Sequence, residues 1–327
     1  MPPVRSISVA MATHFGEEFL LRQLKSINDQ TIKPLELVVC DDCSTDKTRD
    51  ILEDFSHKAS FPVHLHFNEI KLGYIDNFFK AISLCKGDLI ALSDQDDIWN
   101  DNKLEISLKA INEESAWLHA HSVTLIDKSG SCIGSLRPLK TSGQVSYRTL
   151  SAWSTFSGFT CTFRKELIEL FPKETRPIDL IHGDKLMAHD RWITHLGLLT
   201  GRVVYSDTPL AAYRQHSNNL FGARKWNTIN KVKKFRKEYI NYLNKRSSIA
   251  QEMHIVSQSI KNINKDEDNY NDHMWSILAK KYSERRDIFV EYKYLLERCH
   301  AIFRKFYLDH DVKSFFKDTL AAMILAF

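Results

Sequence analysis

The chain lacks any run of about 20 consecutive apolar residues, the length a helix needs to cross a bilayer, and its last segment, Phe315 to Phe327, is short and interrupted by Lys317 and Asp318. Surface contact is then the only helical route to a membrane. A secretory leader pattern is missing as well: Met1-Pro2-Pro3-Val4-Arg5 runs straight into a strand pattern, so the expectation is a cytoplasmic protein. Dense cysteine spacing is absent. Six cysteines, at positions 40, 43, 85, 132, 161 and 299, sit mostly in apolar segments, as expected of reduced thiols rather than of a disulfide framework. Cys40-Asp41-Asp42-Cys43 has no second C-x-x-C to complete a zinc site. No recognisable RNA-binding motif accompanies the basic residues, and no nucleic-acid partner is expected.

What is present is an ordinary globular composition over 327 residues, 43% hydrophobic and 26% charged, enough for one large domain or one domain plus an appendage. The net charge of +4 is unevenly spread. From Arg224 onward 21 lysines and arginines face 13 acids, leaving 24 against 28 before it. A mildly acidic body with a basic tail suits an anionic partner such as a phospholipid surface.

Strand and helix patterns alternate four times in the first hundred residues. Residues 5 to 11, 35 to 40, 63 to 67 and 89 to 93 read as strands, and Glu17 to Asp29, the segment holding Ile51, Leu52 and Phe55, and Asn77 to Cys85 read as helices. Ser44, Thr45 or Asp46 is placed to cap the second helix. This predicts an α/β fold with a mainly parallel sheet flanked by helices, whose ligands bind beyond the carboxyl ends of the strands. Further on, Lys103 to Asn112 and His189 to Leu199 read as helices, Trp117 to Ile126, Phe159 to Phe163, Val203 to Tyr205 and Leu210 to Tyr213 as strands, and Gly134 to Gln144 as a mobile loop. From Trp226 the pattern is helical only, with Tyr239, Tyr242 and Leu243 sharing one face and Phe289, Tyr292, Leu295 and Leu296 another.

Both acidic clusters fall at strand ends. Leu89-Ile90-Ala91-Leu92-Ser93 delivers Asp94, Asp96 and Asp97, and the second strand delivers Asp41 and Asp42. Carboxylates crowded this closely repel one another, whereas Mn²⁺ or Mg²⁺ favours such oxygen ligands and bridges them to phosphates.

Ser8-Val9-Ala10-Met11-Ala12-Thr13, Val39-Cys40-Asp41-Asp42-Cys43-Ser44-Thr45-Asp46, Asn68 with Leu72-Gly73 and Asn77-Phe78, and Leu92-Ser93-Asp94-Gln95-Asp96-Asp97-Ile98-Trp99 stand in the order and spacing of family 2 glycosyltransferases. The chain resembles their GT-A domain over roughly residues 4 to 222. His189-Asp190-Arg191-Trp192 and Tyr213-Arg214-Gln215-His216-Ser217-Asn218-Asn219 look like later motifs of a bacterial branch, similar to rhamnosyltransferases of surface polysaccharide assembly. The resemblance implies a GT-A, Rossmann-like domain over 1–222, with a nucleotide-binding half to about 100 and an acceptor half beyond it, and a basic helical extension over 223–327. It implies that Thr13, Glu17, Asp41, Asp42, Asn77 and Asp94 contact the donor nucleotide, with Arg214 and Gln215 on its diphosphate. Asp96 is the foremost metal ligand, with Asp94 and His216 beside it, and Asp97 is a supporting acid or a helix cap. Asp190 matches the base that takes the acceptor proton, and Gly158, Arg191 and Trp192 fall near the acceptor or sugar pocket.

The implied chemistry is inverting, metal-dependent transfer of a sugar from a UDP- or dTDP-linked donor to a hydroxyl of a lipid-linked or lipopolysaccharide-type glycan. The family commonly carries Tyr-Asn where this chain has His14-Phe15, and the Q-x-x-R-W motif of processive synthases is missing. Addition of a single sugar is therefore expected. Nucleotidyl transfer or sugar-nucleotide hydrolysis on a similar sheet is the competing enzymatic reading, and a non-catalytic scaffold the competing reading of another class. For the tail, Lys231, Lys233, Lys234, Arg236 and Lys237 suggest peripheral binding at the inner face of the plasma membrane, against packing on the domain or homo-oligomer formation.

Overall fold

The computed structural model describes residues 5–146, 149–150, 153–171, 173–179, 185–216, 232–263, 270–291 and 302. In chain order these form β1 (Ile7–Thr13), α1 (Leu20–Asn28), β2 (Glu36–Asp41), α2 (Thr48–Ser56), β3 (Val63–Phe67), α3 (Tyr74–Leu84), β4 (Leu89–Ser93), β5 (Ile98–Trp99) and α4 (Lys103–Glu113). There follow β6 (Leu118–Ile126), β7 (Cys132–Leu136), β8 (Gly143–Val145), β9 (Thr162–Arg164), α5 (Glu166–Glu169), α6 (His189–Leu199), β10 (Val203–Arg214), α7 (Val232–Ile263) and α8 (Tyr270–Glu291).

Every residue of β2 and β4 is buried, which is why both read as continuous apolar runs and not as alternating ones. Each is covered on two faces. The sheet order is β3-β2-β1-β4-β9-β6-β10-β5, with β7 on β6 and β8 on β10. β3, β2, β1 and β4 are parallel to one another, and β9 runs antiparallel to both β4 and β6. Because β2 and β4 flank β1 while the chain visits them in turn, the strand order reverses at β1, and a crevice opens beyond its carboxyl end. Thr13 pairs with Asp41 across that end, and Met11 with Ser93.

The helices between these strands follow local chemistry. α1 buries Leu20, Gln23, Leu24 and Ile27, and Asp46 accepts the amide of Thr48 at 3.1 Å to start α2. Gly73, at φ 83°, turns the chain into α3 through a conformation that suits glycine.

Three sequence expectations are corrected. Residues 134 to 144 are not wholly loop, since β7 adds to β6 and β8 to β10. Val203–Arg214 is one strand and not two, with register shifts at Pro209, which has no amide to give the ladder. The segment from Phe159 begins as a single helical turn over Gly158–Thr160 before β9.

The chain divides into two compact units, Met1–Arg176 with Ala188–Gly222, and Pro177–Met187 with Ala223–Phe327. In the second, α7 and α8 bury Leu243, Ala250, Met253, Trp275, Ala279 and Tyr282, and Arg246 Nη1 donates to Tyr282 Oη at 2.8 Å. The two helices thus cover apolar surface on each other. Lys231, Tyr292, Leu295, Leu296, the Ser217-Asn218-Asn219 end of the late motif and the last segment lie outside the described residues. No helix among the described residues is long and apolar enough to cross a membrane.

Trp192, expected near the acceptor, is fully buried in α6. An indole in that position contributes packing. Trp192→Ala is expected to cost about 3–5 kcal/mol of stability, seen as a lower urea midpoint; an unchanged midpoint would contradict a core role.

Candidate active site

The loop after β1 is held by its own amides. His14 N donates to Gln95 Oε1 at 2.9 Å, Phe15 N to Ser44 Oγ at 2.9 Å, Gly16 N to Thr48 Oγ1 at 2.8 Å and Glu17 N to Asp46 Oδ2 at 3.2 Å. Four successive donors are thereby fixed, with Phe15 at φ 51° and its ring exposed. The Glu17 carboxylate accepts Lys47 N at 3.0 Å. Asp41 is fully buried and accepts from Thr13 Oγ1, from both Ser44 N and Oγ, and from Arg49 Nε. Its four lone-pair directions are taken, so in this conformation Asp41 shapes the loop and presents no free acceptor. Asp42 likewise accepts Asn68 Nδ2 and the amides of Leu72 and Gly73, while Asn77 receives Asn68 Nδ2 and donates to Cys40 O. The expected nucleotide contacts are thus brought together as supports for two loops.

The acidic turn after β4 differs. Ligand atoms of Asp94, Asp96 and Asp97 all lie within 4.8 Å of one another. Asp97 is fully buried; Oδ1 accepts Arg214 N at 3.1 Å, and Oδ2 has no hydrogen-bond partner. An orphaned carboxylate oxygen inside a trio of acids fits a hard divalent cation, and these residues could hold one. His216 Nε2 lies 2.9 Å from Asp96 Oδ2, within reach of the same position. Burial, then the charges of Asp96 and Asp190, pushes the Asp94 carboxyl up to about 8. Burial followed by Asp96 and Asp94 pushes Asp97 well above the ordinary range.

Two buried cations lie under this turn. Lys103 donates to Phe159 O and stands 3.8 Å over the Trp99 ring, and burial drives its ammonium down to about 7 against the opposing pull of Asp97, Cys161 and Asp94. Arg214, expected on the diphosphate, is the second. Fully buried, it donates to the carbonyls of Asp96, Asp127 and Lys128 and covers the Phe19 ring. The guanidinium knits β10 to the acidic turn. Gln215 N donates to Ile126 O at 2.8 Å, extending the pairing with β6.

Asp190 stands in the first turn of α6, its carboxylate capping Arg191 N at 2.7 Å. Before it, the His189 ring stacks on Phe78 at 4.1 Å, and Gly158 packs against both residues, so that an added Cβ there would meet His189 Nε2 at 2.9 Å and Asp190 Cβ at 3.4 Å. Gly158 is needed for that approach. Burial pushes His189 down to about 4, so its imidazole is neutral near pH 7. Arg191, also expected near the acceptor, is buried and donates to Trp153 O at 3.5 Å.

Gln95 and Lys103 escaped the sequence reading. A lysine at the head of an amphipathic helix looks solvent-facing, but Lys103, Ser107 and Ile111 are all buried at four-residue spacing, and that stripe was the available signal. Gln95 offered only its place between two aspartates.

Residues 8–169 match the sequence profile described as glycosyl transferase family 2. The chain is 29% identical over 225 residues to a dTDP-rhamnosyl transferase, RfbG, of Shigella flexneri, covering 65% of this chain and 74% of that one. It is 34% identical over 102 residues to the UDP-Glc:alpha-D-GlcNAc-diphosphoundecaprenol beta-1,3-glucosyltransferase WfgD of Escherichia coli, covering 31% of this chain and 39% of that one. Several curated relatives are matched over about half of their length or less. Among solved structures, S. aureus TarS 1-349 in complex with UDP superimposes with a TM-score of 0.61 at 17% identity, covering 98% of this chain and 89% of that one. The fold is that of a GT-A glycosyltransferase.

A carboxyl raised from 3.8 to about 8 is neutral in the folded chain and ionised in the unfolded chain between those values, so folded stability falls as pH rises through that window. Without metal, Asp94→Asn is expected to gain thermal stability relative to wild type from pH 4 to pH 8, and Mn²⁺ to erase the gain by stabilising wild type alone. Melting curves across that range check it; a difference independent of pH would contradict the burial of Asp94 as an acid.

Proposed function

With a glycosyl transferase family 2 domain in place over residues 8–169, we propose that the chain is an inverting, metal-dependent glycosyltransferase. It moves a sugar from a UDP- or dTDP-linked donor to a hydroxyl of a lipid-linked or lipopolysaccharide-type glycan. The observation that carries this reading is the trio Asp94, Asp96 and Asp97 with its orphaned oxygen, set beyond the sheet's point of strand reversal and inside the field of Asp190.

Asp96 and Asp94 would hold the cation, with Asp97 behind them and His216 on its open side. When bound, the cation supplies Lewis-acid neutralisation of the charge that builds on the departing diphosphate. The nucleotide lies over the carboxyl ends of β1 and β2, on loops that Asp41 and Asp42 hold in shape. Asp190 takes the proton of the acceptor hydroxyl as general base on the face opposite the leaving group, which inverts the anomeric centre. Neutral His189 beside it in the chain adds no positive charge that would offset that carboxylate. The donors named for RfbG and WfgD and the UDP held by TarS support a nucleoside diphosphate sugar. Peripheral membrane contact through the basic residues of α7 agrees with a lipid-linked acceptor.

Incubation with labelled UDP- and dTDP-sugars, Mn²⁺ and glycolipid extract is expected to yield labelled glycolipid and free nucleoside diphosphate. Pyrophosphate release would instead indicate nucleotidyl transfer, and sugar appearing only in water, hydrolysis. Asp190→Asn is expected to lower kcat by about 10²–10⁴ with unaltered melting; retention of activity would remove Asp190 from the base role. In flotation, anionic liposomes are expected to carry wild type but not a variant with Lys233, Lys234, Arg236 and Lys237 all changed to Glu, and equal flotation would sink the membrane contact.

A further inference from the structure

We infer that Gln95 is a positioning residue that transmits cation occupancy at the acidic turn to the loop at residues 14–17, and through it to the donor. Gln95 stands between Asp94 and Asp96 in the chain, yet its side chain turns away from both. Its Oε1 accepts His14 N at 2.9 Å and its Nε2 donates to His14 O at 3.0 Å. This two-point contact imitates one rung of a β-ladder, joining the turn after β4 to the loop after β1 where the strands no longer pair.

The fit around the carboxamide is close. A Cβ added at Gly16 would lie 2.6 Å from Gln95 Oε1 and 3.0 Å from Cδ, so the absence of a side chain at 16 is what admits Gln95. Beyond it, Phe15 is held at φ 51°, a left-handed conformation that a phenylalanine leaves unless its neighbours are tied. Phe15 and its neighbours are tied by Ser44 and Asp46 from the loop after β2, by Thr48 at the start of α2 and by Gln95 from the acidic turn. A rigid turn 94–97 therefore means a fixed loop 14–17. A cation removes the repulsion that loosens the turn, and the clasp carries that rigidity across. The step from loop to donor rests on the glycosyltransfer reading; the step from cation to loop does not.

Amide hydrogen exchange by mass spectrometry on the full chain tests both, with no ligand, with Mn²⁺, and with Mn²⁺ plus UDP. In wild type, Mn²⁺ is expected to slow exchange in peptides covering 94–97 and also 14–17. In Gln95→Ala, exchange at 14–17 is expected to be about tenfold faster, as loss of two ordinary hydrogen bonds implies, and to ignore Mn²⁺, while 94–97 still gains protection. Gly16→Ala is expected to reproduce the fast exchange, and combining it with Gln95→Ala to add nothing, because the clash and the clasp are one contact. Additive effects in the double variant, Mn²⁺ protection that never reaches 14–17, or equal exchange there in wild type and Gln95→Ala would each overturn the inference. If UDP adds no protection to wild type, the donor reading fails while the clasp is judged by the Mn²⁺ arms.

Discussion

Mutual repulsion among Asp94, Asp96 and Asp97 is the constraint around which the rest of this domain is arranged. Three carboxyl groups with ligand atoms inside 4.8 Å, Asp97 buried and Asp94 and Asp96 half-buried, are tolerated only with opposite charge nearby or with protons bound. The protein uses both. Lys103 stands beneath the turn on the Trp99 ring, Arg214 binds its backbone from the side, and Asp94 keeps its proton up to a pH of about 8. Neither cation reaches Asp97 Oδ2, which stays unpartnered. The arrangement has room for a further positive charge, which a divalent ion displacing a proton would provide.

The strands serve that arrangement. A cluster of acids needs rigid backing, and β4 supplies it by being buried on both faces between β1 and β9. Gln23 Nε2 reaches Ser93 Oγ at 2.7 Å, fixing the last residue of the strand from α1. The antiparallel β9 also brings Gly158 and the head of α6 alongside β4, which is how a carboxylate almost a hundred residues later in the sequence enters the same field. In this way the parallel half positions the acidic turn and the mixed half positions Asp190.

The parallel half was legible in sequence because each strand is a continuous apolar run and each connection a helix of clear period. Leu89 to Ser93 and the acids after it could hardly be read otherwise. The mixed half was not, for reasons visible in particular residues. β9 has three residues and depends on partners more than 40 positions away, so no local pattern announces it. Pro209 and its flanking shifts broke β10 into two apparent strands. Arg214 and Trp192 show a different limit: a guanidinium that binds phosphate and one that binds three carbonyls are the same letter, and so are an indole in a pocket and one in a core. Only burial separates them.

Formal charge bears on how such a site would work. Counted as formal charges with Asp94 and Asp97 deprotonated, as a bound cation would require, the four acids Asp94, Asp96, Asp97 and Asp190 exceed the buried Lys103 and Arg214 by two, the charge of one divalent cation. A diphosphate entering before the cation would meet net repulsion in a low-dielectric crevice; entering with it or after it, the same group meets a neutral one. Were Asp190 the base, a cation held by Asp96 and Asp94 would also screen it from its acidic neighbours. Cation binding and readiness of such a base would then follow from a single charge balance, built into the spacing of one strand end and one helix start.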